Sequence, residues 1–243
     1  MKAVILCAGY ATRLYPLTLD KPKALLPISG RPIMDYIIDK IEKLPEIDEI
    51  YVVTNDKFYS NFKIWLDEKN ETKKRIEILN DGTNSNEDRI GGLGDLFFTI
   101  CDRDIKDDLL VICGDNIFDS DLDGMIKFYI KKQKPILATY DVKDFNEARK
   151  MGIVRESGGI IINFEEKPKE PKGTLCSSGI YIFPKELIEE MNSYMKTDKP
   201  KDGPGHFIIH LLDLTDVCSF EIKGRWHDIG SLETYEKVKN MKF

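Results

Sequence analysis

The stretch Leu6-Cys7-Ala8-Gly9-Tyr10-Ala11-Thr12-Arg13-Leu14-Tyr15-Pro16-Leu17-Thr18, followed by Lys21-Pro22-Lys23-Ala24-Leu25-Leu26-Pro27, carries the residue types that handle phosphate. It leaves the apolar run Ala3–Leu6 at the end where open α/β sheets place their ligands. Small residues at 8, 9 and 11 let a backbone come close to a phosphate, and turn amides can point at its oxygens. Between Arg13 and Arg31, the basic side chains Arg13, Lys21, Lys23 and Arg31 face a single acid, Asp20, so the segment is locally cationic in a chain of net charge −6. Neither G-x-G-x-x-G nor G-x-x-x-x-G-K-[ST] is present, which argues against a dinucleotide oxidoreductase or a P-loop ATPase. A second chemical feature is Gly114-Asp115-Asn116, which delivers a carboxylate directly after the apolar run Leu109–Cys113.

The elements that must position these residues follow from hydrophobic periodicity. Short β-rich runs at Ala3–Leu6, Ile50–Thr54, Arg75–Leu79, Leu109–Cys113 and Ile136–Tyr140 alternate with helical patterns, which predicts a doubly wound α/β fold around a mostly parallel sheet. Ile33, Ile37, Ile41 and Leu44 repeat at helical spacing behind Pro32, as do Phe58, Phe62, Trp65 and Leu66. Further helices are expected over Leu93–Asp102 and Leu122–Gln133. After Asp141 the strands come closer together, at Ile153–Arg155, Ile160–Phe164 and Gly179–Phe183, and a helix Lys185–Lys196 follows, so this part reads as a smaller α+β lobe that extends the same sheet. The segment Lys196–Gly205 reads as a mobile loop. A strand Ser219–Lys223 and a helix capped by Ser231 close the chain. Residues 1–243 are therefore expected to form one domain, with a nucleotide-binding part at 1–140 and an acceptor-binding part at 141–243.

Composition narrows the class. The 243 residues are 42% hydrophobic and 32% charged, with 36 basic and 42 acidic side chains, which fits a globule and gives no general affinity for nucleic acid or anionic membrane. The run Ala3–Ala8 is far short of a membrane span and too short for a signal peptide, so the expected location is cytoplasmic. Cysteines 7, 101, 113, 176 and 218 are odd in number and mostly within apolar runs, as buried reduced thiols would be. Asn70-Glu71-Thr72 fits a glycosylation sequon that only a secreted chain would use.

The Gly9 loop resembles the signature of the sugar nucleotidyltransferases, written G-G-x-G-T-R-L-x-P-L-T with K-P-K-x-L-L-P shortly after, with Ala8 and Ala11 replacing two glycines. Gly114-Asp115-Asn116 is similar to the family's G-D-N metal motif, Glu165-Glu166-Lys167-Pro168 to its E-K-P motif, and Arg225-Trp226-His227-Asp228-Ile229-Gly230 to its W-x-D-x-G segment. The likeness to short glucose-1-phosphate thymidylyltransferases spans Met1 to about Lys237. It implies a nucleotide-diphospho-sugar transferase fold and the Mg²⁺-dependent conversion of a nucleoside triphosphate and a sugar 1-phosphate to a nucleotide sugar and pyrophosphate. It also implies roles for individual residues. Asp115 and Asp228 would hold Mg²⁺, Arg13 would meet the leaving pyrophosphate, and Lys23 the phosphates in flight. Leu6, Ala8, Gly9, Tyr10, Ala11, Thr12, Arg13, Asn80, Gly91 and Gly92 would bind the nucleotide, and Gly152, Glu166, Lys167 and Ser178 the acceptor. Relatives are often oligomers, which leans toward a homo-oligomer here.

Other readings share parts of this pattern. Met151 and His206 stand where the family usually has other residues, which keeps a non-sugar acceptor such as phosphocholine or a polyol phosphate in view. A glycosyltransferase would want D-x-D after its strand, and a nucleotide-sensing module would have no need of Arg13, Lys23, Asp115 and Asp228 together. Asp228 could simply pair with Arg225, and Lys167 could be a solvated charge beside Glu165 and Glu166. Asp119–Gly124 begins like a calcium loop but has Ile130 at its twelfth position, so it is read as helix capping. His206 and His210 are read as one face of a packed helix.

Overall fold

Nine strands form one mixed sheet in the computed structural model, which describes every residue except Asn70, so the sequon begins outside the described residues. Across the sheet the order is Arg75–Asn80, Glu49–Thr54, Lys2–Leu6, Leu109–Cys113, Leu175–Phe183, Ile136–Asp141, Cys218–Glu221, Ile160–Glu166 and Gly152–Ser157. The first four are parallel to one another. Their apolar runs are continuous because both faces are covered. Ala3 and Ile5 pack into one core, while Val4 packs into the other with Val53 and Val111.

The expected mostly parallel sheet is corrected to a mixed one from the fifth position. Leu175–Phe183 runs antiparallel between Leu109–Cys113 and Ile136–Asp141. Its length and burial explain the placement, since Cys176, Ile180 and Ile182 enter one core and Tyr181 and Phe183 the other, a pattern that only an interior strand satisfies. The register of this strand shifts between Ser177 and Tyr181, beside Ser178 and Gly179.

Three further elements depart from the expectations. A small antiparallel ribbon pairs Asn116–Phe118 with Trp226–Asp228, setting Asp228 opposite Asn116. The end of the presumed loop is the start of a helix, Pro204–Leu211, which carries His206 and His210. Its preceding residues are tied down, because the amides of Gly92 and Leu93 donate to the carbonyls of Asp202 (2.8 Å) and Lys201 (3.1 Å). The helix Asp123–Lys132 has no side-chain cap; Asp119 instead receives a two-pronged ion pair from Arg225 at 2.8 and 3.0 Å. All five cysteines are free, but Cys101 is exposed and Cys113 half-buried. Among the described residues no helix is long and apolar enough to cross a membrane.

Candidate active site

The carboxyl ends of the four parallel strands converge, and two cavities open there side by side. The first, about 260 Å³, is lined by Leu6, Ala8, Gly9, Ala11, Lys23, Gly91, Gly92 and Asp115, among others. The second, about 180 Å³, is lined by Gly152, Glu166, Lys167, Ser178 and Asp228 and again by Asp115. Asp115 therefore stands on the boundary. Most of the nucleotide set and the whole acceptor set come together as two adjoining compartments.

The Gly9 loop is held from behind. Asn55 is fully buried and donates through Nδ2 to the carbonyl of Ala8 at 2.8 Å, while its Oδ1 accepts from the amide of Phe58 at 3.0 Å and caps the helix Asp56–Asp67. Sequence reasoning missed Asn55; its only signal is an Asn between a strand and a helical pattern. Ala11 adopts a left-handed conformation, φ 49°, where the resemblance has glycine, and the hydroxyl of Thr18 donates to its carbonyl at 2.8 Å. Tyr10 does not line the cavity; its ring is buried and its hydroxyl donates to Thr83 Oγ1 at 3.3 Å. Asn80 is likewise committed, donating to Asp56 at 2.7 Å and accepting from the amide of Gly82 at 2.9 Å. Thr12 and Arg13 lie exposed on a short 3₁₀ turn outside both cavity walls. Arg31 points away and pairs with Asp39 at 2.8 Å.

Charge is concentrated at the boundary. The ammonium of Lys23 meets Asp115 Oδ2 at 2.5 Å. Burial pulls Lys23 down, but Asp115 and Asp228 outweigh it and leave its pKa above the ordinary lysine value. Asp228 is pushed up to about 6, first by burial and then by the negative charge of Asp115, although Lys23, Arg13 and Lys167 pull the other way. Its Oδ1 is buried with no hydrogen-bond partner. Arg225 is engaged with Asp119, so the simple Asp228–Arg225 pair does not form. Two carboxylates that line one cavity and feel each other's charge, one with an orphaned oxygen, are the donor set a hard divalent cation needs when substrate oxygens and water fill its remaining positions. Asp115 and Asp228 fit such an ion.

The second cavity is shaped by close approach. Trp226 donates from its indole to the carbonyl of Ser178 at 3.0 Å, and Ser178 in turn donates its hydroxyl to the carbonyl of Ala138 at 2.9 Å. A Cβ on Gly152 would collide with the ring of Phe164 and stand 3.1 Å from Glu166 Oε2. Lys167 has a left-handed backbone, φ 46°, and reaches Glu166 at 3.1 Å with its side chain 60% exposed, leaving the ammonium accessible to an anion. Gly91, at φ 81°, faces the other compartment, where a Cβ would stand 2.5 Å from the carbonyl oxygen of Lys201.

A family model described as nucleotidyl transferase matches residues 2–242. The bifunctional protein GlmU of Methanocaldococcus jannaschii is 35% identical over 230 residues, covering 95% of this chain and 51% of that protein. A Sulfolobus acidocaldarius protein provisionally named a mannose-1-phosphate guanyltransferase is 31% identical over 243 residues, covering 98% of this chain and 62% of that protein. The chain thus spans about half the length of the first relative and about six tenths of the second. Among solved structures, a Bacillus anthracis protein provisionally named a glucose-1-phosphate thymidylyltransferase superposes with a TM-score of 0.82 at 25% identity, covering 100% of this chain and 97% of that one.

Proposed function

Because the chain belongs to the nucleotidyl transferase family, we propose that it joins a nucleoside triphosphate to a sugar 1-phosphate, giving a nucleotide sugar and pyrophosphate. A phosphate oxygen of the sugar phosphate bonds to the α-phosphorus as the bond from that phosphorus to the α–β bridging oxygen breaks, and the electron pair leaves with pyrophosphate. No redox partner is needed. The obstacle is the approach of two anions, so cationic groups and in-line positioning supply the catalysis. The observation that carries this reading is the meeting of two cavities at Asp115, with Lys23 held against it.

In this reading residues 1–140 supply most of the nucleotide compartment and residues 141–243 most of the acceptor compartment. Leu6, Ala8, Gly9, Ala11, Gly91 and Gly92 cradle the nucleotide, with Tyr10 and Asn80 shaping that wall from behind and Thr12 and Arg13 at its rim. Arg13 meets the leaving pyrophosphate, Lys23 neutralises the phosphate under attack, Lys167 binds the sugar phosphate and Glu166 the sugar hydroxyls. Asp115 and Asp228 would hold Mg²⁺, which when bound offsets phosphate charge and aligns the two substrates. Ser178 anchors the compartment floor through its backbone carbonyl.

The test is pyrophosphate release with Mg²⁺, crossing five nucleoside triphosphates with sugar 1-phosphates, phosphocholine and polyol phosphates. Release with a sugar 1-phosphate is expected, and Asp115→Asn should reduce it by about 10²–10³ with the fold intact. Full activity in Asp115→Asn would overturn the role given to Asp115. Release only with phosphocholine or a polyol phosphate would replace the sugar as acceptor.

A further inference from the structure

Three walls of the first cavity are joined by one chain of hydrogen bonds. The helix Gly92–Asp102 contributes Asp95 from its first turn, only 5% exposed, and the strand Arg75–Asn80 is followed by Asp81; both acids line the cavity. Oδ1 of Asp81 accepts from the amide and hydroxyl of Thr83 at 2.7 and 2.8 Å. Thr83 Oγ1 in turn accepts from the hydroxyl of Tyr10, the residue after Gly9, and the carbonyl of Thr83 accepts from the amide of Asp56 at 2.9 Å. Oδ2 of Asp81 and Oδ1 of Asp95 are buried, and among the described residues no N–H or hydroxyl group donates to either. The two carboxyls instead hydrogen-bond each other through one shared proton. Helix, strand end and Gly9 loop are thereby tied in the order Asp95, Asp81, Thr83, Tyr10.

The first link exists only while the proton is there, because two ionised carboxylates have acceptors and no donor. Burial first, and then the charge and hydrogen bond of Asp81, push Asp95 up to about 8, so the link is closed near neutrality and opens in mildly alkaline solution. The groups facing the pair do not replace the proton. Cys7 and Cys113 are thiols that burial holds well above their ordinary value. Tyr10 is also raised by burial, and Asp56 and Asp88 only add negative charge around it. Of the cations on the same cavity wall, Arg89 pairs with Asp202 at 3.7 Å and Lys23 with Asp115. Once both acids are ionised they repel across a desolvated gap, and the Gly91-Gly92 wall loses its tie to the Gly9 wall. Resting on the nucleotidyltransferase reading, we propose that Asp81 and Asp95 are positioning residues: their shared proton holds the helix Gly92–Asp102, and through Thr83 and Tyr10 the Gly9 loop, in the arrangement that binds the nucleoside triphosphate.

Titration calorimetry of the full chain with Mg²⁺ and the tightest-binding of ATP, CTP, GTP, UTP and dTTP, from about pH 6.5 to about pH 9.5, tests this alongside pyrophosphate release. With only the protonated pair competent to bind, Kd should rise about tenfold between about pH 7 and about pH 9. Asp95→Asn, whose amide donates to Asp81 and has no proton to lose, should abolish that rise. Taking the ratio of the two proteins at each pH cancels the ionisation of the ligand itself. Asp95→Leu, which cannot donate, should bind about tenfold more weakly than Asp95→Asn near neutrality. If Asp95→Asn does not fold, Asp81→Asn carries the same expectation from the other side of the link. A Kd that rises equally in the unaltered protein and the asparagine variant, or that stays constant to about pH 9 in the unaltered protein, overturns the proposal. The enzymatic reading then still stands when pyrophosphate is released. Binding without release overturns that reading alone, and no binding with any triphosphate overturns both.

Discussion

Replacing Asp228 with asparagine should make the metal-free protein more stable while removing its response to Mg²⁺. Asp228 titrates near 6 in the fold, chiefly because it is buried and secondly because Asp115 faces it, whereas an aspartate in an unfolded chain titrates near ~3.9. A gap of roughly two pKa units corresponds to about 3 kcal/mol, and solvent screening of a residue that is only part-buried brings this to about 1–3 kcal/mol. The sign follows from proton binding. The folded state holds the proton more tightly, so this contribution favours folding as pH falls from about 6 toward about 4, and its full cost is present above about 6. Asp228→Asn removes that cost, and at ~2–4 °C per kcal/mol for a chain of this size Tm should rise by about 2–12 °C near neutrality. The assay is thermal unfolding in chelator and in excess Mg²⁺, at about pH 5 and about pH 7.5. The unaltered protein should gain Tm from Mg²⁺ at the higher pH by binding linkage, and the variant should not. A variant with equal or lower Tm in chelator, still stabilised by Mg²⁺ to the same extent, would refute both the strain at Asp228 and its place as a metal ligand.

Gly152→Ala places a methyl against Phe164 and Glu166, so KM for the sugar phosphate should rise by about tenfold to a hundredfold while KM for the triphosphate stays constant in steady-state kinetics. Ala11→Gly relieves a left-handed alanine but adds freedom to the unfolded chain, for a net gain of about 0.5–1 kcal/mol, readable in denaturant unfolding. Asn55→Ala removes the cap on Phe58 and the clamp on Ala8 and should cost about 2–4 kcal/mol, lowering Tm by several degrees and raising KM for the triphosphate.

Residues close to one another in the chain were the legible part of this protein. The Gly9 loop, the basic run to Lys23 and the carboxylate after Leu109–Cys113 could all be read because each depends on local periodicity: an apolar strand ends and the next residues must lie at its carboxyl edge. The E-K-P and W-x-D-x-G motifs could be named by resemblance, and they do share one cavity wall. What could not be read was which strand neighbours which. Leu175–Phe183 has the burial pattern of an interior strand, but its insertion as an antiparallel neighbour of Leu109–Cys113 is decided by long-range packing. Tyr10 and Asn80 sit in the right segments yet spend their polar groups on Thr83, Asp56 and Gly82, because side-chain direction depends on partners brought in from other elements.

The amino-acid sequence by itself determined which basic, small and carboxylate residues are available, and the strand ends that carry them. Only the tertiary structure decided their pairings. The ribbon that sets Asp228 beside Asn116, the bond from Lys23 to Asp115, and Asn55 behind Ala8 all join segments distant in the chain. Their distances and desolvation exist only once the sheet has closed, which is also when a carboxylate such as Asp228 acquires the energy that makes it useful.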